Sequence, residues 1–192
     1  MFKQTLITAV TVLALTAGTA AYADKYVIDT KGAHASIQFK ISHLGYSWIY
    51  GRFNRFSGEF EYNEEQPAAS KVAVEIDTAS IDSNHAERDK HLRSDDFLDV
   101  SKYPKATFVS TGYEDQGDGK ALLKGDFTLH GVTRPIVIEV RHIGAGDDPW
   151  GGFRRGFEGT TQVALKDYDI GFNLGPTSTS AEIILTVEGV RQ

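Results

Sequence analysis

The stretch Ser36-Ile37-Gln38-Phe39-Lys40-Ile41-Ser42 decides the fold. Ile37, Phe39 and Ile41 recur at every second residue, with Gln38 and Lys40 between them. Successive side chains of a strand point to opposite faces, so this is a strand with one apolar and one wet face. The same period returns along the chain. Phe56, Gly58, Phe60 and Tyr62 oppose Ser57, Glu59 and Glu61, and Val72, Val74 and Ile76 oppose Lys71, Glu75 and Asp77. Phe108 belongs to a strand starting near Tyr103-Pro104. Ala121, Leu123, Phe127 and Leu129 oppose Lys120, Lys124 and Asp126. Ile136, Ile138 and Val140 oppose Glu139 and Arg141. Phe157, Thr161, Val163 and Leu165 follow, then Ile183, Leu185 and Val187. Tyr26-Val27-Ile28-Asp29 adds a leading strand.

These runs make about eight strands separated by turn residues, an all-β pattern. Each strand has one apolar face, and no helix is large enough to cover the sheet they form. The sheet must therefore stack or close. Runs of roughly ten residues favour a closed antiparallel barrel, which leaves no open edge. Gly58, Gly125, Gly159 and Gly189 fall inside strands, where closure is expected to bend them. His130 to Pro135 reads as a turn, and Lys166 to Asn173 as a further turn of helix.

One segment breaks the alternation: Asn84-His85-Ala86-Glu87-Arg88-Asp89-Lys90-His91-Leu92-Arg93. Asn84 with Glu87 three positions on has the layout of a capping box. Ser94-Asp95-Asp96 ends the helix and leads to Phe97 and Leu98. A helix this short and this charged is marginal alone, so it is expected to dock at one end of the barrel. At about 100° per residue, His85 and Asp89 share one face and Glu87 and His91 another. Two ligands on a face fall short of the three or four that zinc requires. The expected role is a capped, ion-paired surface helix, with no metal.

The chain has 192 residues, no cysteine and a formal net charge of −6. Lys3, the apolar run Leu6 to Leu15 and the small-x-small sequence Ala21-Tyr22-Ala23 have the form of a secretory signal peptide over residues 1–23, cleaved after Ala23. The expected mature chain, residues 24–192, is one periplasmic domain without disulfide staples, held by its core. Its acidity gives no general attraction for nucleic acid. No GxSxG, phosphate loop or cysteine nucleophile is present, so neither catalytic residues nor a cofactor is expected. His43-Leu44-Gly45-Tyr46-Ser47-Trp48-Ile49-Tyr50-Gly51 reads as a connection. Its aromatics suit a gate at the barrel mouth, a membrane interface or a plug over the core. Gly146-Asp147-Asp148-Pro149-Trp150-Gly151-Gly152 lacks EF-hand spacing and reads as a turn.

The run His43 to Trp48, the insert Asn84 to Arg93, the strand start Lys102-Tyr103-Pro104, the turn Gly131-Val132-Thr133 and the loop Gly146 to Gly151 together resemble the YceI family of bacterial periplasmic proteins. The resemblance covers essentially the whole mature chain. It implies an eight-stranded lipocalin-like barrel that binds polyisoprenoid lipids, such as the tails of isoprenoid quinones, and implies no catalytic residues. Alternation alone describes a packed core equally well. With the resemblance, the apolar faces become the expected lining: Ile37, Phe39, Ile41, Phe56, Phe60, Val74, Ile76, Phe108, Phe127, Leu129, Ile138, Val140, Phe157, Val163 and Leu185. His43, Tyr46, Trp48, His85 and Arg88 are expected near the mouth or the lipid head group. The expected partner is an isoprenoid lipid, carried or stored, with transient membrane contact. The alternative is an envelope enzyme acting on a hydrophobic substrate through His85, Glu87 and His91.

Overall fold

The structure is a computed structural model describing residues 23–192. The signal-peptide reading of residues 1–23 lies outside the described residues save for Ala23. The strands are β1 Asp24–Ile28, β2 Ser36–His43, β3 Ser47–Phe53, β4 Phe56–Tyr62, β5 Lys71–Asp77, β6 Ile81–Asp82, β7 Lys105–Gly117, β8 Lys120–Leu129, β9 Val132–Asp147, β10 Phe153–Ala164 and β11 Ser180–Arg191. Among the described residues one α-helix, α1, spans Ala86–Arg93, and short 3-10 turns lie at Pro67–Ala69, Thr78–Ser80 and Leu165–Tyr168.

These segments form eight ribbons, because three ribbons are broken midway. β11 pairs with β2 through Ala181–Thr186 and with β1 through Gly189–Arg191, so β1 and β2 are two halves of one ribbon. β4 pairs with β1 and β3 with β2, which joins β3 and β4 in the same way. β5 pairs with β4 and β6 with β3. The ribbons β7 to β11 then pair in sequence, all antiparallel, and the β1–β11 pairing closes an eight-stranded barrel. The breaks have local causes. At the third, the Asp77 carboxylate accepts the Ala79 N–H and turns the chain, while the Thr78 N–H still bonds the Pro104 carbonyl in register with the β5–β7 ladder.

Several elements differ from the sequence reading. The segment read as a connection after His43 is mostly strand β3; only Leu44, Gly45 and Tyr46 turn the chain. Its exposed aromatics hid the alternation. The helix cap is His85, whose Nδ1 accepts the Arg88 N–H at 3.2 Å. Asn84 stands one place too early, in the left-handed region at φ 63°, which asparagine tolerates, with its N–H on the Asp82 carboxylate. The helical turn expected over 166–173 is confined to Leu165–Tyr168. Gly125 and Gly189 serve close approach: a Cβ at Gly125 would meet the Phe108 ring on the paired strand β7, and one at Gly189 the Phe60 ring reaching over from β4 across β1.

The helix docks through polar side chains. Arg93 Nε donates to the Ala79 carbonyl at 2.8 Å, and its Nη2 to the Ile81 carbonyl, meeting acceptors freed by the break between β5 and β6. Asp89, nearly buried, accepts the Ser83 N–H at 2.7 Å. Leu92, Phe97 and Leu98 then turn inward on the core, which also holds Ile37, Phe39, Ile76, Ala106, Leu129 and Val163.

Candidate functional site: two apolar chambers inside the barrel

The barrel interior holds two chambers. The one at the helix end has a volume of about 690 Å³ and is lined by Phe39, Ile41, His43, Leu44, Leu92, Leu129, Ile170 and Leu174, among others. This volume falls in the roughly 300–1,000 Å³ range of small-molecule sites. The other chamber, about 160 Å³, is lined by Ile37, Phe56, Phe60, Val74, Phe108, Leu123, Ile138, Val140, Phe157, Leu185 and neighbours. Phe53, Ile76, Phe127, Val163 and Ile183 line both and form the waist where they meet.

All fifteen residues expected on the apolar lining lie on the wall of one chamber or the other. The five expected at the mouth divide. His43 and Arg88 line the larger chamber. The Arg88 guanidinium is already committed, donating to the Ser83 hydroxyl and carbonyl at 2.7 Å each. Tyr46 and Trp48 lie on the outer surface, 86% and 58% exposed, and His85 is an exposed helix cap. His91 lines the larger chamber, with Asp96 Oδ2 2.9 Å from its Nε2 and its ring edge-on to Phe97 and Phe172. Among the described residues, His85, Glu87 and His91 do not converge within ligating distance of one another. Asp29, His34 and Glu188 do converge, but Arg154 Nη1 already bonds both Asp29 and Glu188, so a guanidinium holds the place of a cation.

Beyond the smaller chamber stands a polar cluster that sequence reasoning missed. The Arg155 side chain, 4% exposed, pairs with Glu64. Its Nε donates to the Tyr26 hydroxyl at 3.3 Å, its Nη1 lies 3.3 Å from His142 Nε2, and its guanidinium sits 4.5 Å from the Tyr62 ring centre. Burial pushes the Tyr113 phenol up to about 12 and also raises Tyr62. Burial first, then the Arg155 charge, pushes His142 down. The hydrogen bond from Arg155 holds the Glu64 carboxyl below its ordinary range. Arg155 was legible in principle, since it keeps the inward phase of Phe157, Gly159 and Thr161. Tyr113 was not. The β7–β8 register slips between Ser110 and Gly112, so the inward phase changes from Phe108 to Tyr113.

Arg154, one residue earlier, ties three segments together. It bonds Asp29 at 2.7 Å, Asp148 at 2.8 Å, and Glu188. Asp29 is held well below the usual carboxylate range, chiefly by Arg154. Asp148 is lowered first by the Gly152 N–H and then by Arg154. Groups whose folded pKa is depressed bind protons more readily when unfolded, so stability falls as pH falls through their folded values. The urea midpoint is expected to decline from about pH 7 downward, first as His142 protonates below its ordinary ~6.5, then more steeply below about pH 4 as the carboxylates do. Denaturation curves across that range check this, and an Arg154→Met variant should flatten the acid limb.

Eight closed antiparallel ribbons around two adjoining, largely apolar chambers define a lipocalin-like barrel. The chain belongs to the YceI family: the model described as a YceI-like domain matches residues 26–190. It is 56% identical over 190 residues to a UPF0312 protein of Shewanella sp. (strain ANA-3), covering 99% of this chain and 100% of that one. It is also 56% identical to a UPF0312 protein of Ectopseudomonas mendocina (strain ymp), with full coverage of both. Among solved structures, Burkholderia cenocepacia BcnA shares the fold with a TM-score of 0.74 at 20% identity, covering 84% of this chain and 98% of that one. The Campylobacter jejuni YCEI protein matches with 0.71 at 27%, covering 79% and 90%. A polyisoprenoid binding domain from Saccharophagus degradans, implicated in plant cell wall breakdown, matches with 0.64 at 16%, covering 87% and 98%.

Proposed function

We propose that the protein binds an isoprenoid-chain lipid, of quinone or polyprenyl type, and carries or stores it in the periplasm without catalysing its conversion. The carrying observation is the channel: two apolar chambers joined through five shared side chains suit a long, thin tail. Family membership and the polyisoprenoid binding of the S. degradans domain support the same reading. The energetics are compatible. Burying dozens of methylenes from water at about 0.8 kcal/mol each would exceed the ceiling near −20 kcal/mol seen for real complexes. A tail leaving a bilayer instead moves between two apolar surroundings, so its exchange is nearly balanced and reversible.

Organic extraction of the purified mature protein, followed by mass spectrometry, is expected to release a prenyl-chain lipid, and the emptied protein should take up a fluorescent prenyl probe. No lipid and no uptake would reject the reading. Amino-terminal sequencing of the exported protein should begin at Asp24.

A further inference from the structure

We infer that the β2–β3 hairpin is a membrane-docking element that sets the port of the larger chamber against the surface of a bilayer. This rests on the proposed lipid-chain binding and adds the surface across which the chain is exchanged. The hairpin closes with the Tyr46 N–H on the His43 carbonyl at 2.9 Å, and its two turn residues, Leu44 and Gly45, have φ of 54° and 80°. A turn with two left-handed residues normally carries Asn-Gly or Asp-Gly, because a side chain at the first position is strained there. Leucine at this position works against local preference, and strain of this kind gathers where a side chain has a task.

The position of Leu44 supplies that task. It is 52% exposed, yet it also lines the larger chamber, so one side chain spans outside and inside. Tyr46 beside it is 86% exposed. Trp48 and Tyr50 continue along β3 at 58% and 56%, and Phe172, across the port, is 41% exposed. The charge within this patch is compensated: Lys40 lies 4.6 Å over the Trp48 ring and pairs with Glu182 at 2.7 Å. Aromatic rings with polar tips and balanced charge fit the head-group level of a membrane. A tail can pass from bilayer to chamber without crossing water only where apolar surface is continuous, and Leu44 provides that continuity. Insertion is shallow. β3 pairs with β6 only at Arg52 and Phe53, and the open edge this leaves along the hairpin cannot enter hydrocarbon.

The segment over the port rests on the same hairpin. Ser178 Oγ donates to the Ser42 carbonyl at 2.6 Å, and Leu44 Cδ2 stands where a Cβ at Gly175 would meet it at 3.4 Å. A hairpin seated on lipid therefore bears directly on the chain that covers the chamber.

The test uses the mature protein with phosphatidylcholine vesicles, plain or loaded with a fluorescent prenyl-chain probe. Wild type is expected to co-sediment with plain vesicles and to draw probe from loaded ones. The double variant Tyr46→Ser/Trp48→Ser alters side chains outside both chambers. It should lose co-sedimentation and transfer at least tenfold more slowly, while binding detergent-delivered probe as wild type does. Leu44→Asn suits the turn better, so its thermal midpoint should hold or rise while transfer slows. Transfer by the double variant at the wild-type rate overturns docking. So does a change confined to self-association in sedimentation, which would make the patch a contact between copies. Failure of wild type to bind detergent-delivered probe rejects lipid-chain binding, and co-sedimentation with plain vesicles would still support docking.

Discussion

Ile183→Trp is expected to weaken binding of a long prenyl chain at least tenfold, about 1.4 kcal/mol or more, while leaving a short prenyl chain bound. Ile183 lies on β11 between Ala181 and Leu185 and is one of the five side chains on both chambers. An indole there fills the waist. A short chain occupies the larger chamber alone, whereas a long one must thread past. Overpacking a well-filled interior costs about 1–3 kcal/mol, but Ile183 borders free volume in both chambers, so the loss should sit at the low end. Titrating probes of increasing length against wild type and variant, with a thermal scan of each, checks this. Equal weakening of short and long chains would show that the two chambers do not act as one channel.

Arg155→Ala is expected to be the most damaging single change at the other end, costing about 3 kcal/mol. The guanidinium supplies charged hydrogen bonds, worth about 1.5–3 kcal/mol each when the partner is left buried, and a cation–π contact worth about 0.5–2 kcal/mol. Tyr26 is fully buried, so its hydroxyl would lose the Arg155 donor with no exposure to water. Glu64 is largely exposed and is not stranded. For a chain of this size the loss should lower the melting midpoint by roughly 6–12 °C. A titration readout separates this from mere destabilisation. With the Arg155 charge gone, the His142 pKa should rise toward its ordinary value without reaching it, because burial, the larger cause, persists. The Glu64 pKa should rise as well, since Arg155 is its principal depressor. An unmoved His142 in the folded variant would contradict the contact.

The sequence by itself determined the architecture and the wall. Period-two alternation is a local property that survives in any register. It therefore marked most of the strands, β3 excepted, and the apolar faces that carry the fifteen residues from Ile37 to Leu185 now found on the chamber walls. The resemblance carried by the insert and the aromatic run added the expected class of ligand. Only the tertiary structure decided that eight ribbons arise from eleven strands, because the breaks near Asp29, Asn54 and Thr78 become continuous only beside a partner strand. It also decided that the apolar faces enclose two chambers joined at a waist, since free volume depends on how rings meet across the barrel.

The polar ends were the least legible. Alternation assigns charged residues outward, so Arg155 was passed over although its phase points in, and the slip near Ser110 hid Tyr113. At the mouth, His85 and Arg88 looked ready for a ligand by type, but the fold had already used them as a helix cap and a loop brace. A side chain's chemistry is written in the sequence; whether that chemistry is still free depends on which groups the closed barrel brings within about 3 Å of it.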